Sequence, residues 1–192
     1  MEQAAQVELA LLFFDYSNKI DDYREIIGEQ FTGRAGDGVS IHTYFVKTDV
    51  RELVKEYNIN CIVPPANSLG FMDGGIDMFY MQMFPGIQNI VQDRIKTFDI
   101  TTALGRYVLP IGSAMLVKTG NEKCPLLVCV PTMFLPEDIA MTRNVYWAFT
   151  GLLNLAKQSF FPKDESVGCR GPGYVQLGTQ CFMPPSFFQP LC

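Results

Sequence analysis

One short segment contains the residues best suited to chemistry. It carries the side-chain amide of Asn67 and the carboxylates of Asp73 and Asp77, with Gly74 and Gly75 between the two acids. Adjacent glycines let the backbone approach a ligand, and a helix that begins just after them offers N–H groups and a positive dipole to an anion. A carboxylate in the first turn of that helix can orient or deprotonate a water molecule. The segment therefore predicts a site that holds a diphosphate without cationic side chains.

Each of these residues also has a purely structural interpretation. Glycines cluster at many turns between a strand and a helix, and Asn67 can close an Asx turn after Pro65. Asp77 can simply complement the helix dipole, and we expect Asp73 to be solvated. The apolar cluster that follows is expected to fill the core, and it comprises Met78, Phe79, Tyr80, Met81, Met83 and Phe84.

The elements that must position this segment alternate along the chain. Apolar runs and alternating patterns predict strands at residues 7–14, 39–47, 61–63, 107–118, 126–130 and 166–169. Helical periodicity predicts helices at residues 22–31, 51–57, 75–83, 87–98 and 137–157. Pro64 and Pro65 are expected to end pairing after the third strand.

The order of these elements predicts an α/β fold with three α/β/α layers and a mixed central sheet. In such sheets, ligands bind at the carboxyl ends of the strands. No linker or repeat divides the 192 residues, which predicts one domain over residues 1–192, with an irregular end at 175–192.

The composition excludes several classes of function. A net charge of −5 argues against binding long nucleic acids through their phosphates. His42 is the only histidine, so a multi-histidine zinc site cannot be built, and its alternating strand context predicts a structural imidazole. The six cysteines have no CxxC spacing, and Cys61 and Cys129 lie in apolar runs, which indicates buried free thiols and a reducing compartment. No targeting or membrane-spanning segment is recognisable, so we expect an intracellular protein, cytoplasmic or nuclear, that binds no membrane.

The segment from Asn67 to Asp77 resembles the phosphate- and ribose-binding loop of macrodomains, which are ADP-ribose-binding modules. Pro65-Ala66-Asn67 matches the end of the family's N-A-A-N element, Gly74-Gly75 its last two glycines, and Ile76-Asp77 its V-D pair. The ten-residue step from Asn67 to Asp77 is similar to that of the hydrolase branch. Upstream, residues 46–50 resemble the family's G-D-I-T strand end, with Thr48 in place of the glycine.

The resemblance implies roles for the matching residues. Asp49, beside Val50, would accept a hydrogen bond from the adenine amino group, although it can equally cap the next helix. Asn67 would bind the distal ribose, and Asp77 would activate the attacking water, which makes these two the candidate catalytic residues. The remaining candidate ligand-binding residues of the first loop are Ala66, Gly74, Gly75 and Ile76.

A second glycine loop closes the diphosphate site in macrodomains. Here Gly171, Gly173 and Tyr174 could serve, but Pro172 lacks an N–H donor and no threonine stands at the family's position. The family's last helix also has no counterpart in the proline-containing tail, where Phe182, Phe187 and Phe188 lie.

The resemblance implies that the chain binds ADP-ribose or ADP-ribosylated proteins without a cofactor or metal, either as a reader or as a hydrolase of the ADP-ribosyl linkage. One alternative is a structural or partner-binding macrodomain whose ligand loops are vestigial. Another is a dinucleotide-binding dehydrogenase domain, which requires G-x-G-x-x-G after the first strand, whereas residues 14–18 contain no glycine.

Overall fold

A mixed β-sheet forms the centre of the protein. The structure, a computed structural model, describes residues 7–31, 33–35, 39–57, 59–160 and 174–177. The strands are β1 (Val7–Asp15), β2 (Gly33–Ala35), β3 (Val39–Lys47), β4 (Cys61–Val63), β5 (Pro65–Asn67), β6 (Met115–Lys118), β7 (Leu126–Met133) and β8 (Tyr174–Leu177). The helices are α1 (Lys19–Phe31), α2 (Val50–Glu56), α3 (Asp77–Met83), α4 (Ile87–Lys96) and α5 (Asn144–Phe160).

The sheet is mostly parallel. In the order β2-β3-β1-β8-β4-β7-β5 every neighbouring pair is parallel except β2 with β3, and β6, which lies off this path, is antiparallel to β7. β1 and β3 pair along nine residues, from Val7 opposite Val39 to Asp15 opposite Lys47. Their carboxyl ends therefore finish side by side.

Apolar side chains cover both faces of this sheet. On one face, Leu11 and Phe13 pack with Ile20 of α1 and Leu152 of α5. On the other face, Phe14 belongs to a second cluster that includes residues from α2, α3 and α4, among them Leu53, Tyr80 and Ile95. Since neighbouring residues of a strand point to opposite faces, β1, β4 and β7 each contribute residues to both clusters. The predicted α/β class with three α/β/α layers is confirmed.

Most of the predicted elements occur within a few residues of their expected bounds, but the longest helix is shorter than predicted. It begins at Asn144 and not at residue 137, so residues 137–143 lie outside it and Met141 is 98% exposed. Within the helix, Val145, Ala148 and Leu152 recur at helical spacing and are buried, as the predicted periodicity requires. The predicted strand at 107–118 is also too long, because only Met115–Lys118 pairs with β7 as a strand.

Pro64 and Pro65 do not end strand pairing, contrary to expectation. Cys61 of β4 lies opposite Leu126, and Pro65 of β5 lies opposite Val130, so both strands keep the same register against β7. The register shifts between Ala66 and Asn67. The chain thus continues along β7 past Pro64 and breaks its register just where the polar loop begins.

The described part of the C-terminal segment lies within the sheet. Tyr174–Leu177 forms β8 between β1 and β4, which corrects the expectation of an irregular end from residue 175. Tyr174 pairs with Ala10, so its backbone belongs to a strand and not to a ligand loop. Gly171 and Gly173, the predicted strand at 166–169 and the rest of the tail lie outside the described residues.

A helix that crosses a bilayer needs about 20 predominantly apolar residues. Among the helices of the described ranges, none combines the length and hydropathy that such a span needs.

Candidate functional site

A cleft of about 500 Å³ opens where β1 and β3 end. Phe14 and Tyr16 line it at the end of β1, Thr48 to Arg51 line it at the start of α2, and Gly75, Ile76 and Phe79 line its opposite wall. The Thr48 N–H donates to the Asp15 carbonyl at 3.1 Å, which joins the two strand ends. The cleft therefore lies at the carboxyl edge of the parallel sheet, as predicted for an α/β fold.

Asp49 supplies the carboxylate of this cleft and also caps α2. Its Oδ1 accepts hydrogen bonds from the backbone N–H groups of Arg51 at 2.7 Å and Glu52 at 3.2 Å. Its Oδ2 accepts from the Arg51 guanidinium at 3.1 Å, and the Asp49 side chain remains 35% exposed. The Arg51 side chain, followed by the capping amides, holds the pKa of Asp49 below its usual value, while partial burial opposes this. Asp49 is thus a charged acceptor at the cleft.

Arg51 reaches across the cleft from α2 towards α3. Its guanidinium lies over the Phe79 ring, 4.7 Å from the centroid, while its hydrogen bond to Asp49 is kept. Because Phe79 is 36% exposed and lines the cleft, it does not fill the core as expected, and neither do Met78 and Met81 on the same helix. Tyr80 and Phe84 of that apolar cluster are fully buried, as predicted.

The glycine turn forms the second wall of the cleft. Gly75 has a φ of +57°, and a Cβ built on it would meet no atom within 4 Å, so backbone conformation and not space requires glycine there. The Asp77 N–H donates to the Gly74 carbonyl at 3.1 Å and closes the turn. Within the described part of the chain, the backbone N–H groups of Gly75 and Ile76 have no acceptor. Two amides at the cleft are therefore available to an anionic ligand.

Asn67 holds its own loop together. Its Oδ1 accepts from the N–H groups of Leu69 and Phe71 at 3.2 Å each, and its Nδ2 donates to the Phe71 carbonyl at 2.7 Å. The residue is 6% exposed and does not line the cleft. The structure thus places Asn67 in the Asx-type role that was the alternative to ribose binding.

The Asp77 side chain is largely buried and does not line the cleft either. It borders a cavity of about 10 Å³ enclosed by the polar loop, α4 and β7, where Cys129 is the other ionisable group. Burial first, and then the charge of Asp73, raise the pKa of Asp77 to about 7. Asp77 is therefore poorly placed to activate a water molecule in the cleft as the structure stands.

The structure brings together four of the predicted ligand residues, and these are Asp49, Val50, Gly75 and Ile76. It separates the others from the cleft. Ala66 borders the small cavity with Asp77, Gly74 is exposed beside the cleft, and Tyr174 lies in β8.

The aromatic and cationic residues of the cleft were missed by the sequence analysis. Phe14 and Tyr16 lie more than thirty residues before Thr48 and Asp49 in the sequence. Only the parallel pairing of β1 with β3 brings them together. The rule that ligands bind at the carboxyl ends of parallel strands would have indicated Tyr16, had the strand order been known.

Comparison with known proteins gives relatives of low identity. No family model matches the chain. An uncharacterized protein of Aquifex aeolicus (strain VF5) is 29% identical over 112 residues, which are 58% of this chain and 61% of that protein. The matched region thus spans less than two thirds of that relative.

Several solved structures to which the chain is similar are macrodomains. The macrodomain of Thermus aquaticus DarG has 11% identity and a TM-score of 0.45, covering 66% of this chain and 93% of that one. Thermosipho africanus DarTG in complex with ADP-ribose has 10% identity and a TM-score of 0.46, covering 91% and 56%. A mutant of the Oceanobacillus iheyensis macrodomain with ADPR has 12% identity and a TM-score of 0.42, covering 68% and 82%. The similarity to macrodomains expected from the Asn67–Asp77 loop is also found among solved structures.

Proposed function

We propose that the cleft binds ADP-ribose, either free or attached to a protein. The observation that carries this proposal is that Asp49 and the two unbonded amides of Gly75 and Ile76 line one cleft. The volume of about 500 Å³ is within the range of small-molecule sites, about 300 to 1,000 Å³. The resemblance of the loop to that of macrodomains supports ADP-ribose as the ligand.

The parts of the cleft suit the parts of this ligand. Asp49 Oδ2 accepts one hydrogen bond, from Arg51, and keeps a lone pair for an exocyclic amine such as that of adenine. Phe14, Tyr16 and Phe79 offer apolar and aromatic surface to a nucleoside. The N–H groups of Gly75 and Ile76 suit a diphosphate oxygen, which is an acceptor only.

Hydrolysis of the ADP-ribosyl linkage is the second candidate function. We propose a binding module instead, for the following reason. Turnover requires a base that reaches a water molecule beside the distal ribose. Asp77, the candidate for that role, borders a separate cavity, and Asn67 is engaged by its own loop. A purely structural domain with vestigial loops is the remaining alternative, and it predicts no ligand affinity.

Calorimetric titration of the full chain with ADP-ribose, ADP, NAD and ATP tests the proposal. We expect saturable binding of ADP-ribose that is tighter than that of NAD and ATP. Gly75→Ala should weaken the affinity for ADP-ribose about tenfold. Alanine is strained at the positive φ of this position, and relief of the strain would move the N–H groups of residues 75 and 76. Asp93→Asn, an exposed carboxylate on α4, serves as the charge control and should bind like the wild type.

Two outcomes would contradict the proposal. Absence of ADP-ribose binding by the folded chain would leave the structural alternative. Release of ADP-ribose from a modified protein, abolished by Asp77→Ala, would show that the chain is a hydrolase and not only a binding module.

A further inference from the structure

The Asp77 carboxyl group borders a small cavity that is separate from the cleft. Its Oδ1 is fully enclosed, and no described residue provides a hydrogen-bond partner for it. The side chain borders a cavity of about 10 Å³, the volume of one water-sized probe. The Asp77 N–H meanwhile closes the turn on the Gly74 carbonyl at 3.1 Å. One residue therefore contacts both the buried cavity and the wall of the cleft.

The surroundings of this carboxyl group disfavour a negative charge. Pro64, Pro65 and Ala66 from the β4–β5 segment and Val91 from α4 give the cavity apolar walls. Gly70, Phe71 and Met72 of the polar loop and Leu127 of β7 complete them without a charged group.

Two other titratable groups face Asp77. Cys129 of β7 borders the same cavity, and burial first, then the charge of Asp77, raise the pKa of its thiol to about 12, so the thiol stays neutral. Asp73, from the loop, adds a like charge that raises the pKa of Asp77. No cation among the described residues borders this cavity to offset a charge on Asp77.

We propose that Asp77 is a positioning residue that holds the Gly74–Gly75 turn in place as a neutral acid, and that losing its proton releases the turn. A carboxylate whose Oδ1 is enclosed without a hydrogen-bond partner is costly, whereas the protonated acid is tolerated in an apolar cavity. The turn carries Gly75 and Ile76, so the wall of the cleft moves with the ionisation of Asp77. The release of the turn is inferred from the structure around Asp77 alone. Its effect on ligand affinity rests on the proposed function.

The direction of the pH dependence follows from proton binding. The pKa of Asp77 is raised to about 7 in the folded protein from its ordinary value of 3.8. The folded state therefore binds more protons than the unfolded state between these values, and stability falls as the pH rises from about 4 to about 7. Above the pKa of Asp77 in the folded protein, the loss of stability is complete, and stability no longer changes with the ionisation of Asp77.

Thermal denaturation of the full chain from about pH 4.5 to about pH 9, in steps of about half a unit, tests this inference. Asp77→Asn keeps the shape of the side chain but cannot ionise. We expect the melting temperatures of the wild type and of Asp77→Asn to diverge as the pH rises to about 7, with the wild type lower, and then to differ by a constant amount. Parallel profiles of the two proteins would overturn the proposal.

Asp73→Asn is the matched control variant. It removes the neighbouring charge and leaves Asp77 ionisable. The fall in melting temperature with rising pH should therefore persist, and it should occur at lower pH. Loss of the whole fall in Asp73→Asn, with the fall retained in Asp77→Asn, would assign the titration to Asp73 and refute the proposal.

A measurement on the wild type alone covers the case in which Asp77→Asn does not fold. Carboxyl carbon NMR of the labelled protein should give Asp77 a titration midpoint of about 7, and a midpoint of about 4 would overturn the proposal. Amide hydrogen exchange across residues 74–77 should be faster in the wild type than in Asp77→Asn at about pH 8, and equal in both at low pH.

Measuring ADP-ribose affinity as a function of pH separates this inference from the proposed function. If ADP-ribose binds, the wild-type affinity should fall about tenfold for each pH unit above about 7, while Asp77→Asn stays level. A level wild-type profile would refute the coupling to the cleft. If ADP-ribose does not bind at all, the proposed function fails, and the stability profiles and NMR still decide the role of Asp77.

Discussion

At the scale of single residues, the polar side chains of the site are occupied mainly with holding the backbone. Asn67 uses both ends of its amide within residues 67–71. Asp49 uses Oδ1 for the first turn of α2 and shares Oδ2 with Arg51. A residue type suited to ligand binding is therefore equally suited to capping a loop or helix, because both tasks need the same donors and acceptors. Of these two residues, Asp49 alone does its structural task while lining the cleft.

The two roles of Asp49 can be separated by substitution. Asp49→Ser retains a capping oxygen and removes the carboxylate, whereas Asp49→Ala removes both. We expect Asp49→Ala to lose about 1 kcal/mol of unfolding free energy and Asp49→Ser much less. ADP-ribose affinity should fall in both variants to a similar degree.

Denaturant unfolding and calorimetric titration of the two variants measure these effects. An unchanged affinity in Asp49→Ser would mean that Asp49 acts only as a helix cap. Equal stability of the two variants would mean that the cap contributes little.

At the scale of elements, α4 supports the loop that leads into the cleft. The Met72 N–H donates to Gln88 Oε1 at 2.7 Å. Gly70 has a φ of +70°, and a Cβ there would come within 2.8 Å of Ile95 Cδ1 and 2.9 Å of Val91 Cγ1. The loop thus lies directly on the buried face of α4, and Gly70 is needed both for its backbone conformation and for this close approach.

Gly70→Ala and Gly74→Ala form a matched pair that tests this contact. Gly70→Ala combines a positive φ with a clash against two buried side chains, so we expect it to lose about 2 kcal/mol or more of unfolding free energy. Gly74→Ala, where a Cβ meets nothing within 4 Å, should change stability by about 0.5 kcal/mol or less. Urea denaturation distinguishes the two, and equal losses would contradict the packing of the loop on α4.

At the scale of the whole molecule, the sheet separates two apolar cores. Leu152 of α5 belongs to the core shared with α1, and Ile95 of α4 belongs to the core on the opposite face. Both side chains are nearly inaccessible, at 3% and 1% exposure. Since the strands contribute alternate residues to each side, the two cores share the sheet but not their side-chain contacts.

This separation predicts additive effects on stability. Leu152→Ala and Ile95→Ala should each lose about 2 to 5 kcal/mol of unfolding free energy, because each leaves a cavity in a packed core. The double variant should equal the sum to within about 0.5 kcal/mol, as for sites without shared partners. A coupling much larger than this, measured by denaturant unfolding at low temperature, would show that the two layers are not independent.

The sequence by itself determined the class of fold and the order of most elements, but it did not predict β2 and β5. Apolar periodicity places β3 and β4 at their observed bounds, and α2 and α4 within a few residues of them, since burial of one face imposes a regular pattern on the chain. The glycine turn at Gly74-Gly75 was also recognisable, because its backbone conformation favours one residue type. The prolines after β4 were misread, since β5 pairs with β7 and continues the register there.

Only the tertiary structure decided which residues share the cleft and which way the acids point. Tyr16 and Asp49 line the same cleft because β1 and β3 lie in parallel register, and no local pattern contains that pairing. Asp77 borders a small cavity with Cys129 because α4 and β7 enclose it, which turns an ordinary first-turn acid into a buried one. Local sequence fixes the conformation of the backbone, whereas the environment of a charge depends on neighbours that are distant along the chain.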